Sequence, residues 1–380
     1  MSSALSFRLL PLTRADEESE AATRGTNPSA AVAAESPWLR SAAYDLCFFA
    51  FAWVPFLLAV IFGLEWRDGF GIDLNGDNFR QIVLFLFALN FAHRNYTYLV
   101  AYGDAGVFRT RKLLFTLCPL AVFTTIFMAY SFPDPRYIEL LVIVLTLWNV
   151  WHTIMQRYGL LRGYARRIKD GFEQRRQASL DLALLWGMVL FTMSLGTFLH
   201  LSEIQGYELT QSTVDAVAPI FDLYSMPLIV TSGLLLIALG GWWSRAELQH
   251  AIPFKQRLPR LLFLLSTVSL LALCLLNPVL GILAFGFSHS VEYLAYVHTV
   301  QKRKVETRQY QGAVAGFFWN NMLLGAGILI GLQVLAYYYS DAVLENDVIL
   351  GTLVMGTGAI HFFYDGIIWK KSKPINTWAM

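Results

Sequence analysis

The chain has 380 residues, of which 56% are hydrophobic and 15% are charged, and its formal net charge is +2. A soluble domain carries about 25% charged residues, so this composition excludes an ordinary soluble protein and favours a polytopic membrane protein. The three cysteines lie in apolar runs without a CxxC pair, which predicts neither a disulfide framework nor a cysteine metal site.

The two ends of the chain differ in composition from the middle. Residues 1–40 are mostly small and polar, which predicts a disordered cytoplasmic tail and no cleaved signal peptide. Residues 41–371 contain the long apolar runs and are predicted to form one transmembrane helical domain. Residues 372–380 are predicted to be a short cytoplasmic tail.

The predicted fold is an all-α membrane helix bundle of ten spans, because the apolar runs approach the length of about 20 residues that crosses a hydrocarbon core. In chain order the predicted spans are 43–64, 80–102, 112–132, 138–163, 180–201, 226–243, 259–275, 278–301, 313–339 and 348–369.

The distribution of charge predicts the orientation of the bundle. With both termini in the cytoplasm, 25 of the 29 Lys and Arg residues fall on cytoplasmic segments, as the positive-inside rule requires. The predicted loop 157–178 holds seven of them, whereas the external loop 202–225 holds none. We expect the basic loop to contact anionic membrane lipids and no nucleic acid, and we expect a bacterial inner (cytoplasmic) membrane location.

Four histidines are predicted to lie at one depth in the membrane. Each sits in an even-numbered span, and these spans all run from outside to inside. Counted from the outer ends, the four occupy positions 14, 15, 12 and 14, which agree to about one helical turn. They are His93, His152, His289 and His361.

Three of these histidines have a polar neighbour on the same helix face. Gln156 follows His152 by four residues, Glu292 follows His289 by three, and Asp365 follows the last histidine by four. A metal-bound imidazole usually donates its second N–H to such a partner. We therefore expect Gln156 and Asp365 to orient imidazoles, and Glu292 to be a carboxylate ligand or a proton acceptor.

Other interpretations of the polar residues stay open at this point. His200 and His250 are expected to face water, and His298 to make an interhelical hydrogen bond. Asp365 has an alternative partner in Arg94 or Lys370. The buried set as a whole is also compatible with a proton-relay network.

Imidazoles and carboxylates without a thiolate suit non-haem iron, mononuclear or dinuclear, with zinc as an alternative. The histidine-rich spans resemble the integral-membrane non-haem iron enzymes, namely desaturases, hydroxylases and bacterial carotene oxygenases, although the HxxxH and HxxHH boxes of desaturases are missing. The segments WHTIMQRYG and HFFYDGIIWK also resemble parts of bacterial membrane families of unassigned function.

The resemblance implies an O₂-dependent oxidoreductase that acts on a lipid or isoprenoid and receives electrons from a donor. In this prediction iron is held by His93, His152, His289, His361 and Glu292. Two alternatives remain: a haem-binding electron-transfer protein, in which paired histidines hold the porphyrin, and a transporter or proton-coupled carrier that uses the same polar residues.

Overall fold

The structure is a computed structural model. It describes residues 36–64, 66–67, 71–72, 76–132, 134, 136–168, 175–204, 211–249, 252–307, 309, 313–343 and 347–369. Most of the predicted tail 1–40 and all of the predicted tail 372–380 lie outside these residues.

Helices occupy each of the ten apolar segments, because a backbone in hydrocarbon must satisfy its own hydrogen bonds. They are α1 (Ala42–Asp45), α2 (Trp53–Gly63), α3 (Asp77–Gly103), α4 (Ala105–Thr110), α5 (Lys112–Ser131), α6 (Arg136–Arg167), α7 (Arg175–Ile204), α8 (Gln211–Gln249), α9 (Phe254–Leu276), α10 (Pro278–Glu306), α11 (Ala313–Asn320), α12 (Met322–Val343) and α13 (Asp347–Ile368). One small exception to the all-α prediction is an antiparallel hairpin of β1 (Trp66–Arg67) and β2 (Gly71–Ile72).

Among the described residues, six helices are long and apolar enough to cross a membrane, which makes the chain a helical membrane protein. They are α5, α6, α7, α8, α9 and α10, and a seventh candidate is the bent pair formed by residues 42–50 and 53–63. Helix α3 is not among them because Asn90, His93, Arg94 and Asn95 lower the hydropathy of its centre.

Two predicted single spans are interrupted. After α1 the chain forms one π-helical turn, Leu46–Ala50, and then bends by 49° before α2. The predicted span 313–339 is divided at Asn321 into α11 and α12. Each of the two predicted spans thus contains a broken helix, since apolar composition does not specify where a helix changes its hydrogen-bonding pattern.

A single residue, Asn277, joins α9 to α10. Its side chain accepts a hydrogen bond from the backbone N–H of Leu280, and Pro278 occupies the first turn of α10, where its missing N–H costs nothing. A Cβ atom at Gly281 would lie 2.4 Å from Cα of Cys274, so only glycine allows the two helices to approach this closely.

Helices α3, α6, α10 and α13 form a closed group at the centre of the fold. Helix α10 packs against both α3 and α6, and α13 packs against the same two helices. Helix α10 also contributes to two separate apolar clusters, through Ala295 to one and through Val297 to the other. The side chains that this group turns inward are consequently removed from both water and lipid.

The fold also contains a buried cluster of charged side chains, here called the Asp181 cluster. It consists of Arg162, Asp181, Glu247 and Arg260. Asp181 Oδ2 lies 2.9 Å from Arg162 Nη1, and Arg260 contacts the carboxylates of both Asp181 and Glu247. Arg157 and Arg162 belonged both to the predicted span 138–163 and to the predicted loop 157–178, and their assignment to a loop was wrong. Both arginines lie in α6 and are buried, because carboxylates on neighbouring helices neutralise them.

Candidate metal centre

The four histidines predicted to share one depth lie together inside the closed helix group. Their ring centroids form a circuit in which neighbours are 4.5 Å (His93 to His361), 5.0 Å (His93 to His289), 5.1 Å (His289 to His152) and 4.8 Å (His152 to His361) apart. None is more than 6% exposed. Each of the four helices therefore supplies one imidazole to a common centre.

A second polar layer lies one helical turn beyond the imidazoles. Thr97, Tyr293 and Asp365 each follow a histidine of their own helix by four residues, so they occupy the same inward face. Asp365 Oδ1 accepts hydrogen bonds from Thr97 at 2.9 Å and from Tyr293 at 2.7 Å. These bonds tie α3, α10 and α13 together directly beside the centre.

Asp365 is also close to two of the imidazoles. Its Oδ2 lies 3.8 Å from Nε2 of His152 and 3.8 Å from Nε2 of His361. The prediction gave Asp365 the role of orienting an imidazole, whereas these distances also place it as a potential ligand. Of the alternative partners predicted for Asp365, Arg94 instead donates to the carbonyl oxygen of Val354, and Lys370 lies outside the described residues.

The hydrogen bonds of Thr97 determine which nitrogen of His361 is protonated. The Thr97 hydroxyl has one proton, which it donates to Asp365, and its oxygen lies 2.7 Å from Nδ1 of His361. If Thr97 donated to Nδ1 instead, Nε2 would carry the ring proton; with the proton of Thr97 given to Asp365, Nδ1 is the donor in that contact. Neutral His361 then presents the lone pair of Nε2 to the centre, which is the form that binds a metal.

His93 faces His361 across a short distance. The two Nε2 atoms are 3.0 Å apart, and Ser290 Oγ lies 3.3 Å from Nδ1 of His93. If Ser290 donates to Nδ1, then Nε2–H of His93 donates to His361 and no ion is required. If Ser290 accepts from Nδ1–H, two lone pairs oppose each other and a cation must lie between them. The serine hydroxyl thus permits both an empty and an occupied centre.

Within the part of the chain that the structure describes, two groups of side chains could hold a metal ion. One consists of His93, His289 and His361, the other of His152, His361 and Asp365, and within each group the potential ligand atoms lie within 4.8 Å of one another. Two nitrogens bound to one ion at about 2.1 Å each are about 3.0–3.4 Å apart for bond angles of about 90–110°. The separation of 3.0 Å between His93 and His361 fits that geometry.

Several ring nitrogens of the centre are buried without a hydrogen-bond partner. These are Nε2 of His152 and both Nδ1 and Nε2 of His289. A buried polar atom without a partner costs about 1–3 kcal/mol, and such atoms in native proteins call for an explanation such as an ion or a water. The donor set, four imidazoles and one carboxylate, matches the ligands of iron and zinc.

The other two polar residues singled out from the sequence are placed differently from the prediction. Glu292 belongs to neither group of potential ligands; its Oε1 lies 3.2 Å from Arg157 Nη1 and accepts from Ser288 at 2.5 Å. Gln156 does not contact His152; its amide donates to the carbonyl oxygen of His289 at 3.0 Å. Both residues instead join α6 to α10 beside the centre.

Sequence reasoning missed Thr97, Tyr293 and Ser290. The spacing of four residues that identified Asp365 would also have identified Thr97 and Tyr293, but hydroxyl residues are too common in spans to be distinctive. The remaining histidines are outside the centre. His200 is half-buried and lies 2.9 Å from the Leu275 carbonyl oxygen, His298 is buried near the end of α10, and His250 lies outside the described residues.

Comparison with known proteins found no relative of this chain. No protein-family model matches the sequence, no curated protein matches it, and no solved structure matches the fold. The functional interpretation therefore rests on the arrangement of side chains in the centre.

Proposed function

We propose that this chain is a metal-dependent membrane oxidoreductase whose metal is non-haem iron. The observation that carries the proposal is the set of buried imidazole nitrogens of His152 and His289 that have no partner. In this proposal His93, His152, His289, His361 and Asp365 supply the ligands, to one ion or to an adjacent pair. Asp365 takes the carboxylate role that the sequence suggested for Glu292.

Iron is favoured by the donor set and by the setting. The ligands are nitrogen and oxygen atoms without a thiolate, and such sites with open positions support dioxygen chemistry. Dioxygen is soluble in lipid, and a centre inside the bilayer is suited to an apolar substrate of the lipid or isoprenoid class. Oxidation of such a substrate requires electrons from a separate donor.

The residues around the centre would hold its ligands in place. Thr97 keeps the proton of His361 on Nδ1, and Ser290 does the same for His93 when it accepts a hydrogen bond. The ion pair of Arg157 and Glu292 holds α6 against α10 without adding net charge. Partners of this kind commonly change metal affinity or activity by about 10- to 100-fold.

Haem is less compatible with the geometry than iron alone. An axial pair of imidazoles must lie on opposite faces of a porphyrin. The four rings form a circuit with neighbours 4.5–5.1 Å apart. If two rings on opposite sides of the circuit were the axial pair, the other two rings would occupy the plane of the porphyrin.

Metal analysis and the visible spectrum of the purified protein test the proposal. We expect about one or two iron ions per chain and no Soret band. A strong Soret band would select haem, and a chain without any bound metal would favour a proton-coupled carrier. Either outcome contradicts the proposed function.

We also propose the finer topology, with ten spans and both termini in the cytoplasm. It is supported by the helix found in each predicted segment and by the concentration of Lys and Arg on one side. Reporter fusions test it: a fusion after residue 171 should report the cytoplasm and one after residue 207 the exterior. The same location for both fusions would contradict the topology.

A further inference from the structure

Arg94 is a cation beside the centre without a partner of opposite charge. It follows His93 in α3, and no carboxylate among the described residues lies within ion-pair distance of it. Its Nη1 donates to the carbonyl oxygen of Val354 at 3.0 Å and reaches Thr357 Oγ1 at 3.5 Å, while its Nε has no partner. An arginine in this environment is costly and such residues are usually functional.

The guanidinium of Arg94 packs against Gly358 of α13. A Cβ atom at Gly358 would lie 3.1 Å from Cζ of Arg94 and 3.2 Å from each of its terminal nitrogens, so the group lies directly on the glycine. The Phe91 ring, 4.9 Å from Cζ, lies beside it. Gly358 precedes His361 by three residues, or about 4.5 Å along the helix axis. The charge is thereby fixed within about one turn of a proposed ligand.

The charge balance of the centre then predicts what it binds. With the carboxyl groups counted as ionised and the imidazoles as neutral, two cations, Arg94 and Arg157, and two anions, Glu292 and Asp365, adjoin the four histidines. A divalent metal ion raises the total from zero to +2 inside a medium that penalises net charge. An anionic ligand would lower that cost, and the buried Nε–H of Arg94 is a donor without a hydrogen-bond partner among the described residues.

We propose that Arg94 and the metal together form a subsite for a monovalent anion, such as a carboxylate. This inference rests on the proposed metal centre and adds the class of ligand. The anion is either the head group of a lipophilic substrate or a small free anion. In both cases it would contact the guanidinium on one side and the ion on the other, as charge-assisted hydrogen bonding favours.

Ligand titration of the full chain in detergent, loaded with Co²⁺ as a spectroscopic probe, tests this inference. Azide and dodecanoate are the anionic probes, and dodecanol is the uncharged control. We expect both anions to change the cobalt spectrum of the wild type and to bind about tenfold or more weakly to Arg94→Gln, as the loss of one charge-assisted hydrogen bond implies. Tighter binding of dodecanoate identifies a lipophilic ligand, and equal binding identifies a small anion.

Matched variants make the result specific. Arg80→Gln removes an exposed arginine from the first turn of the same helix and should leave anion binding unchanged. Gly358→Ala keeps the charge but displaces the guanidinium, and it should also weaken binding if Arg94→Gln fails to fold. Cobalt content should be equal in all variants.

Two negative results are distinguishable. The anion subsite is overturned if neither anion changes the spectrum of the cobalt-loaded wild type. It is also overturned if cobalt-loaded Arg94→Gln binds the anions as tightly as the wild type. Both results leave the metal centre intact. Wild type that takes up neither cobalt nor iron overturns the proposed function and the subsite with it.

Discussion

Two buried polar groups of this bundle, the Asp181 cluster and the histidine centre, differ in how their polar atoms are paired. Each group takes one residue from each of four helices, and α6 contributes to both. In the Asp181 cluster each carboxylate meets a guanidinium, and Trp243 Nε1 also donates to Asp181 at 2.9 Å. In the histidine centre, by contrast, ring nitrogens remain without a partner.

This difference separates a structural role from a binding role. The two guanidiniums of the Asp181 cluster balance its two carboxylates within the protein, and Oε1 of Glu247, which accepts no hydrogen bond among the described residues, faces Arg257 Nη1 at 3.8 Å, so this cluster needs no added cation. Burying imidazole nitrogens without a hydrogen-bond partner costs free energy. Only an added ion, proton or water can offset that cost. Substitutions in the first group should therefore affect stability, and substitutions in the second should affect binding.

The largest expected effect is on metal binding when a histidine of the centre is removed. His361→Ala and His93→Ala should each abolish metal loading, because each removes one proposed ligand from the circuit of four imidazoles. His200→Ala and His250→Ala are the matched controls and should load normally. Metal content per chain is the measurement, and equal loading in all four variants would contradict the metal centre.

The next largest effect is on folding, in the Asp181 cluster. Asp181→Asn leaves Arg162 and Arg260 buried with one carboxylate fewer, which should cost about 3–5 kcal/mol of unfolding free energy. Thermal unfolding in detergent measures this loss, and Asp134→Asn, which breaks the ion pair of a partly exposed aspartate with the exposed Arg136, should cost much less, because exposed ion pairs add little to stability. Metal content of the folded fraction should remain normal, and a specific loss of metal would erase the distinction between the two groups.

Metal binding should itself stabilise the fold. At a free metal concentration of about 100 times Kd, binding to the native state alone adds about 2.7 kcal/mol. We expect the unfolding temperature of the wild type to rise on iron addition and to fall on chelation. His361→Ala should show neither change; an equal rise in that variant would indicate a metal site elsewhere in the chain.

The smallest expected effect comes from the residue that orients His361. Thr97→Val keeps the shape of the side chain but removes the hydroxyl that accepts from Nδ1, so metal affinity should fall by about 10- to 100-fold. Competition with a chelator measures the affinity. Thr116→Val, on an exposed hydroxyl of α5 that bonds its own helix, is the control. Unchanged affinity in Thr97→Val would remove its orienting role.

The positions of the helices were predictable from the sequence, while their interruptions were not. Long apolar runs sufficed to locate a helix in each of the ten segments. The π-helical turn at Leu46–Ala50 and the division at Asn321 depend on local hydrogen bonding and packing, which composition does not encode. The buried Arg157 resembled a loop charge because its partner, Glu292, lies 135 residues away.

The meeting of the four imidazoles was predictable because depth along a helix follows from residue count. The contacts of individual side chains were harder to predict. Gln156 shares a face with His152, but its long side chain crosses to α10, since spacing specifies a face and not a rotamer. Asp365 is a potential ligand because it lies near His152 of α6. The sequence around Asp365 does not predict that α6 is its neighbour.

The one-residue turn at Asn277 also limits how the bundle can admit a molecule. Because Gly281 lies against the backbone of Cys274, α9 and α10 are locked as a hairpin, and His289 is fixed with it. One route to the centre that leaves this hairpin intact lies between α6 and α13, where His152 and His361 meet. A reactant would enter by separating those two helices, so a crosslink between them should close the route without touching the ligands.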